Sequence, residues 1–316
     1  MAKTRPALSP LPADSFRDQI MTWAKQDQSR VLLVQGETGS GKSTRVPRYL
    51  YDAGLDVVVT QPRRIAAVTL AERVASEMGE APGQTVGYAT GGGDASARLH
   101  TDGTAILYVT DGLALIHEIM GKEDRACLCL DEVHEWRIEG EVLIAWAKRE
   151  LARDQDFRVV LMSATMDVPA LASFFSSVTA PTQISIPGRT FPIEEMPMST
   201  DLPTACVIHA KAGRTVLAFE HGKAEIERAM TRIEALAQSE GVPVLCLPLH
   251  GQLTREEQRR AFAPAPRGTV KIVVATNVAQ TSITIPDITA VVDGGMEKIG
   301  VSENGIHGLK IVPISL

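Results

Sequence analysis

The segment GETGSGKST, residues 36–44, satisfies the pattern G-x-x-x-x-G-K-[ST]. Its glycines let successive backbone N–H groups turn inward around phosphate oxygens, and a helix starting there adds the positive end of its dipole. Gly36, Glu37, Thr38, Gly39, Ser40, Gly41, Lys42, Ser43 and Thr44 are therefore candidate phosphate-binding residues. Lys42 is placed to reach the β and γ phosphates, and the Ser43 hydroxyl to ligate Mg2+. Such a loop needs an acid at the end of a neighbouring hydrophobic strand to hold the metal. The run ACLCLDE, 126–132, ends on two. Asp131 is assigned to the metal; Glu132, beside it, orients or deprotonates the attacking water. Two adjacent acids can also merely cap a following helix. In the company of the loop, they read as the hydrolytic half of a nucleoside triphosphatase.

These groups must be set by a scaffold, and the chain supplies its pattern. Short β-branched runs at 30–35, 56–60, 105–109, 126–131 and 158–163 read as buried strands, each followed by a helical stretch. That alternation predicts a parallel sheet covered by helices on both faces. The rhythm breaks in the proline-rich stretch 181–203 and restarts with strand candidates at 214–219, 242–249, 269–276 and 288–293. Helices are expected over 223–240, with Ile226, Met230, Ile233 and Leu236 on one face, and over 254–262. The fold class is therefore α/β, two tandem lobes of similar plan, 1–195 and 196–316.

At 316 residues the chain has the length of about two domains. Its 44% hydrophobic and 22% charged residues are those of an ordinary globular protein, not a disordered one. No apolar run reaches the roughly 18 residues of a membrane span, and the first residues lack the apolar core of a signal peptide. Cys127, Cys129, Cys206 and Cys246 form neither a disulfide framework nor paired zinc-binding motifs. A reducing, cytoplasmic setting is expected. With 32 basic and 38 acidic residues the net charge is −6, so any hold on a polyanion must come from a local groove.

The remaining motifs carry a resemblance. Asp131-Glu-Val-His134 is a variant of the DEAH tetrapeptide. GETGSGKST, TQPRRIAA (60–67), TDG (110–112), SAT (163–165), PLHGQLTREEQRRAF (248–262) and ATNVAQTSITIP (275–286) follow in the order of the DEAH/RHA family of superfamily 2 helicases, over about residues 11–316. The chain resembles two RecA-like P-loop NTPase lobes of an ATP-dependent RNA helicase. The resemblance implies that Arg63 and Arg64 grip phosphates of a single strand. It places Thr60, Thr110, Asp111, Thr276 and Asn277 beside the nucleic-acid backbone, and Arg189 in a turn that touches it. Hydroxyl, amide and guanidinium groups suit such sequence-independent contacts. By the same resemblance His134 couples the nucleotide site to the second lobe, and Ser163 and Thr165 link hydrolysis to strand movement. Arg73 and Phe262 hold the purine between them, and Ser282 and Thr284 belong to the second-lobe nucleotide motif. Stacking without base-edge hydrogen bonds admits other triphosphates beside ATP.

Two departures stand out. Gln280 occupies the place of the glutamate in the family's AETS motif, and the chain stops at Leu316 before the family's Gln- and Arg-rich segment. That segment supplies arginine fingers worth about 10³ to 10⁵ in rate, so weak turnover and poor unwinding are expected of this chain. A monomer acting on single-stranded RNA, open to an activating protein and with no membrane attachment, is the reading. A DNA track and a non-catalytic, ATP-gated clamp for RNA or protein stand as alternatives.

Overall fold

A computed structural model of the chain describes residues 10–314 other than 27, 92–96, 121–125, 189–192, 280–284, 286 and 304–305. The chain divides into two compact units, Met1–Phe191 and Pro192–Leu316. The first runs α1 (Arg17–Lys25), β1 (Val31–Gly36), α2 (Lys42–Asp52), β2 (Val57–Gln61), α3 (Arg64–Met78), β3 (Val86–Ala89) and β4 (Arg98–Leu99). It continues with β5 (Ile106–Thr110), α4 (Asp111–Ile119), β6 (Cys127–Leu130), α5 (Ile138–Arg153), β7 (Arg158–Ser163), α6 (Val168–Phe175) and β8 (Thr182–Ile186). The strands form one sheet in the order β4-β3-β5-β2-β6-β7-β1-β8. All neighbours are parallel except the short edge strand β4, which runs antiparallel to β3.

Alternation along the central strands builds two apolar layers. Leu32, Val34, Val57 and Val59 face one core with Val46, Leu50, Ala71 and Val74 of α2 and α3. Val31, Leu33 and Val58 face the other with Leu143, Ala147, Leu151 and Phe175 of α5 and α6. Central strands covered on both faces have no polar side to show, which is why they read as continuous apolar runs.

The second unit comprises α7 (Leu202–Lys211), β9 (Val216–Phe219), α8 (Lys223–Ser239), β10 (Val244–Leu249), α9 (Arg255–Phe262), β11 (Val270–Ala275) and β12 (Ala290–Asp293). A hairpin of β13 (Met296–Glu303) and β14 (Ile306–Pro313) follows. The four strands β10-β11-β9-β12 are parallel. They close on α7 and α8 around Cys206, Val216, Ile226, Ile233, Ile272 and Val274. On α8, Ile226 and Ile233 are buried together with Ala229 and Ala237, while Met230 and Leu236 pack at the margin.

The parallel α/β plan is as expected, with additions. The proline-rich stretch after 181 begins with a strand, β8, whose Ile184 and Ile186 are buried while Gln183 and Ser185 are exposed. It is an edge strand, short and alternating, and its flanking prolines disguise it. Helix α7 starts at the end of the same stretch, with Pro203 in its first turn and the Asp201 side chain accepting from the Thr204 N–H at 3.0 Å. Among the described residues no helix is long and apolar enough to cross a membrane.

Candidate nucleotide and nucleic-acid site of the first lobe

Because β1, β2, β5, β6 and β7 are parallel, their carboxyl ends lie along one edge of the sheet, where open α/β sheets bind ligands. Most of the first-lobe candidates sit there. Gly36 ends β1, and the loop after it leads into α2 with Gly39 and Gly41 in the left-handed region, at φ 81° and 92°. A Cβ on Gly36 would lie 2.9 Å from Ser40 Oγ and 3.1 Å from Ile186 Cβ, so the tight return over β8 requires glycine. The loop is braced from outside by the N-terminal turn: Ala13 N–H donates to the Ser40 carbonyl at 2.9 Å. Tyr108, buried on β5, donates its hydroxyl to the Ser43 carbonyl at 2.7 Å.

Two groups in this loop lack what burial normally demands. Lys42 is 4% exposed and makes no hydrogen bond or ion pair with the described residues. Ser40 Oγ is buried and unpartnered. A buried cation without a counter-charge is costly. A polyphosphate supplies both the charge and the acceptor, so the residues present fit a nucleoside triphosphate. Thr44 Oγ1 turns back to the Gly41 carbonyl at 3.3 Å, so its role is local.

Asp131 follows β6 and is 4% exposed; it accepts from Gln61 Nε2 at 2.7 Å and from the Glu132 N–H at 3.0 Å. Glu132 is also buried and sits at φ 55°, ψ 40°, a left-handed conformation unusual for glutamate. It precedes a 3-10 turn, Val133–Glu135, without capping it through its side chain, so helix capping is not why the acids are there. No three His, Cys, Asp or Glu gather into a metal cage among the described residues. Mg2+ asks for no such cage: it takes one or two carboxylates, waters and the substrate's own phosphates. Asp131 and the Ser43 hydroxyl are donors of that type.

His134 is half-buried and its pKa is lowered, chiefly by burial, with the Lys42 charge also opposing protonation. Ser163 donates to the Thr165 carbonyl. Its hydroxyl proton is therefore committed, and the 2.9 Å contact with His134 is an Nδ1–H donation to Ser163 Oγ. The same Nδ1 lies 3.4 Å from Glu132 Oε2. The DEVH and SAT motifs thus meet through one imidazole. Thr165 contributes its carbonyl there, while its side chain is exposed.

Thr60 departs from expectation. It is 1% exposed and its hydroxyl bonds the Asp111 carboxylate, so it positions Asp111 and does not itself reach a backbone in solvent. Burial pushes the Asp111 carboxyl up to about 6, against the Thr60 bond and the Arg137 charge. Thr110 is the residue before α4 but forms no side-chain cap. Arg64 is exposed, whereas Arg63 is engaged by Glu135. A small open pocket lies between Asp111, Asp131, Glu132 and Arg137. Arg73 pairs with Glu77, which also pairs with Arg45 on α2, tying it to the helix of the phosphate loop.

In the second lobe, Thr276 and Asn277 follow β11 at the carboxyl edge of its sheet and line a pocket of that lobe. Phe262 ends α9, half-buried. Arg189, Ser282 and Thr284 lie outside the described residues. Gln61, Tyr108, Glu135 and Arg137 were not singled out in the sequence. Gln61 lies inside the TQPRRIAA motif, Tyr108 in the strand candidate 105–109, and Glu135 and Arg137 just after DEVH, but which of them meet the site is set by the sheet.

Residues 16–174 match the DEAD/DEAH box helicase family, and residues 200–307 match the helicase conserved C-terminal domain. The crystal structure of the DEAH/RHA helicase HrpB from Escherichia coli is similar, with a TM-score of 0.82 and 28% sequence identity. The match covers 97% of this chain and 40% of HrpB, so the chain spans less than half of that relative's length. With the phosphate loop, the DEVH acids and the SAT turn gathered on one sheet edge, and with both domain families matched, the chain belongs to the DEAD/DEAH box helicases, as a DEAH-type member of superfamily 2 with two RecA-like lobes.

Proposed function

We propose that the chain is an ATP-dependent RNA helicase motor, coupling nucleoside triphosphate hydrolysis to movement along single-stranded RNA. The observation that carries this reading is a phosphate-binding loop in which Lys42 is 4% exposed and makes no hydrogen bond or ion pair, and Ser40 Oγ is buried without a partner, among the described residues. When bound, Mg2+ and ATP supply the γ-phosphoryl group and the charge neutralisation that its transfer to water needs. The chain's own residues do the rest. The Gly36–Thr44 loop orients the phosphates, and Lys42 offsets their charge. Ser43 and Asp131 are the metal donors, and Gln61 fixes the Asp131 oxygen that it bonds. Glu132 accepts the proton of the attacking water. His134 holds the turn that carries Glu132 against Ser163. Arg63, Arg64 and Asp111 are the first-lobe contacts to the strand, and Thr276 and Asn277 those of the second lobe. Four buried free cysteines suit a reducing, cytoplasmic setting.

Steady-state phosphate release, with and without single-stranded RNA and a matched DNA, tests this. Stimulation by RNA above that by DNA is expected, and Lys42→Ala is expected to lower turnover about a hundredfold. Binding of nucleotide without any RNA-stimulated hydrolysis would instead identify a non-catalytic clamp.

A further inference from the structure

Arg63 is not presented to solvent as a waiting phosphate grip. Its Nη1 donates to Glu135 Oε1 at 2.6 Å, with the two side chains 17% and 14% exposed. Glu135 is the last residue of the 3-10 turn that follows Glu132, and the turn is bracketed by two left-handed residues, Glu132 (φ 55°) and Trp136 (φ 41°). Two residues further, Arg137 Nη1 donates to the Pro62 carbonyl at 2.7 Å. The segment leaving the nucleotide site therefore holds two consecutive residues of the loop at the end of β2, one of them the strand-gripping arginine.

A carboxylate and a phosphate diester are the same kind of acceptor for a guanidinium. A polynucleotide phosphate that takes the Nη1 donor of Arg63 displaces Glu135 from it. The displaced carboxylate then stands next to a polyanion, so it has to move away. It moves on a turn whose flanking residues sit in conformations that persist only while their surroundings hold them. The other end of that turn is Glu132 and His134.

We propose that Glu135 is a positioning residue that stands in for a nucleic-acid phosphate at Arg63, and that its displacement by the strand is what the nucleotide site senses. The inference rests on the reading of this edge as a polynucleotide-binding motor and names the regulation of that site. By linkage, nucleotide occupancy that shifts the Glu132–His134 turn alters how firmly Arg63 is withheld from the strand.

The experiment titrates a labelled single-stranded RNA into the chain and into Glu135→Gln, and measures phosphate release with and without that RNA. Glu135→Gln keeps the side chain's shape and removes the competing charge. RNA binding is expected to tighten about three- to tenfold, since a half-shielded pair no longer has to be broken, and the RNA stimulation ratio is expected to fall. A merely structural role predicts the opposite, because damage to the loop weakens binding. Glu135→Asp, which retracts the carboxylate by one methylene, is expected to tighten binding by a smaller factor and covers the case in which the glutamine variant misfolds. Unchanged or weaker RNA binding in a natively folded variant, or tighter binding with undiminished stimulation, overturns the inference alone. If the unsubstituted chain binds no RNA, the motor reading and this one fall together.

Discussion

Asp111, at the carboxyl edge of the first sheet, carries a carboxyl whose environment departs well from water. Burial raises it from 3.8 to about 6, while the Thr60 hydroxyl and Arg137 act in the other direction and Glu135 and Glu139 add to the rise. Between those two values the folded chain binds more protons at this site than the unfolded chain does. Its contribution to stability is therefore complete below about 3.8 and is lost as pH rises through about 6. Asp111→Asn removes the titration. Its unfolding free energy relative to the unsubstituted chain is expected to rise by about 2 kcal/mol between pH 4 and pH 7. Urea unfolding at unit steps of pH measures this, and a difference independent of pH would contradict the assignment.

The element that does most for the phosphate loop without touching phosphate is β8. It pairs with β1 in parallel, with Gly36 opposite Ile186. Ile186 is 2% exposed and its Cβ sits where a side chain on Gly36 would fall, so the strand sets the floor on which the loop turns. Ile186→Ala leaves a cavity under that floor and is expected to cost the first lobe about 3 kcal/mol. It is also expected to weaken ATP binding, since the loop loses its backing. Chemical denaturation and calorimetric titration with Mg-ATP check the two parts separately. Unaltered nucleotide affinity in the destabilised variant would show that β8 supports only the sheet. The N-terminal turn is the second brace, through Ala13 to the Ser40 carbonyl and through Asp14, which accepts from Arg45 Nε at 2.9 Å.

At the scale of the whole molecule, the two units bury separate cores. The first is built on both faces of an eight-stranded sheet and the second around Ile226, Ile233, Ile272 and Val274. Residues 1–191 expressed alone are expected to fold and to unfold cooperatively, because the buried residues of both layers of the first core come from positions 13–186. Mg-ATP at a hundredfold excess over its dissociation constant would stabilise that fragment by about 2.7 kcal/mol. Circular dichroism of the fragment and its thermal shift with Mg-ATP are the measurements; an unfolded fragment would show that the division into lobes is not one of stability. With a net charge of −6, any hold on a nucleic acid has to rest on local cations, which in the proposed function are Arg63 and Arg64.

What the amino-acid sequence determines by itself is whatever depends on spacing along the chain. The phosphate loop is nine consecutive residues whose glycines and lysine act through local backbone geometry, and Asp131 and Glu132 are placed by the strand that precedes them. Strands β1, β2, β5, β6 and β7 are legible because burial on both faces leaves them largely apolar; β3, equally buried but only four residues long and containing Gly87, was missed. Strand β8 is not legible, since one of its faces is exposed and prolines surround it; the hairpin β13–β14 and the antiparallel strand β4 were also missed, each being stabilised by pairing and not by composition. The tertiary structure alone decided which side chains meet. It buried Thr60 behind Asp111, gave Asp131 to Gln61, committed the Ser163 hydroxyl so that His134 must donate, and set Glu135 against Arg63. Those partners are tens of residues apart, and only a parallel sheet, which delivers the ends of distant strands to one edge, brings them within hydrogen-bond reach.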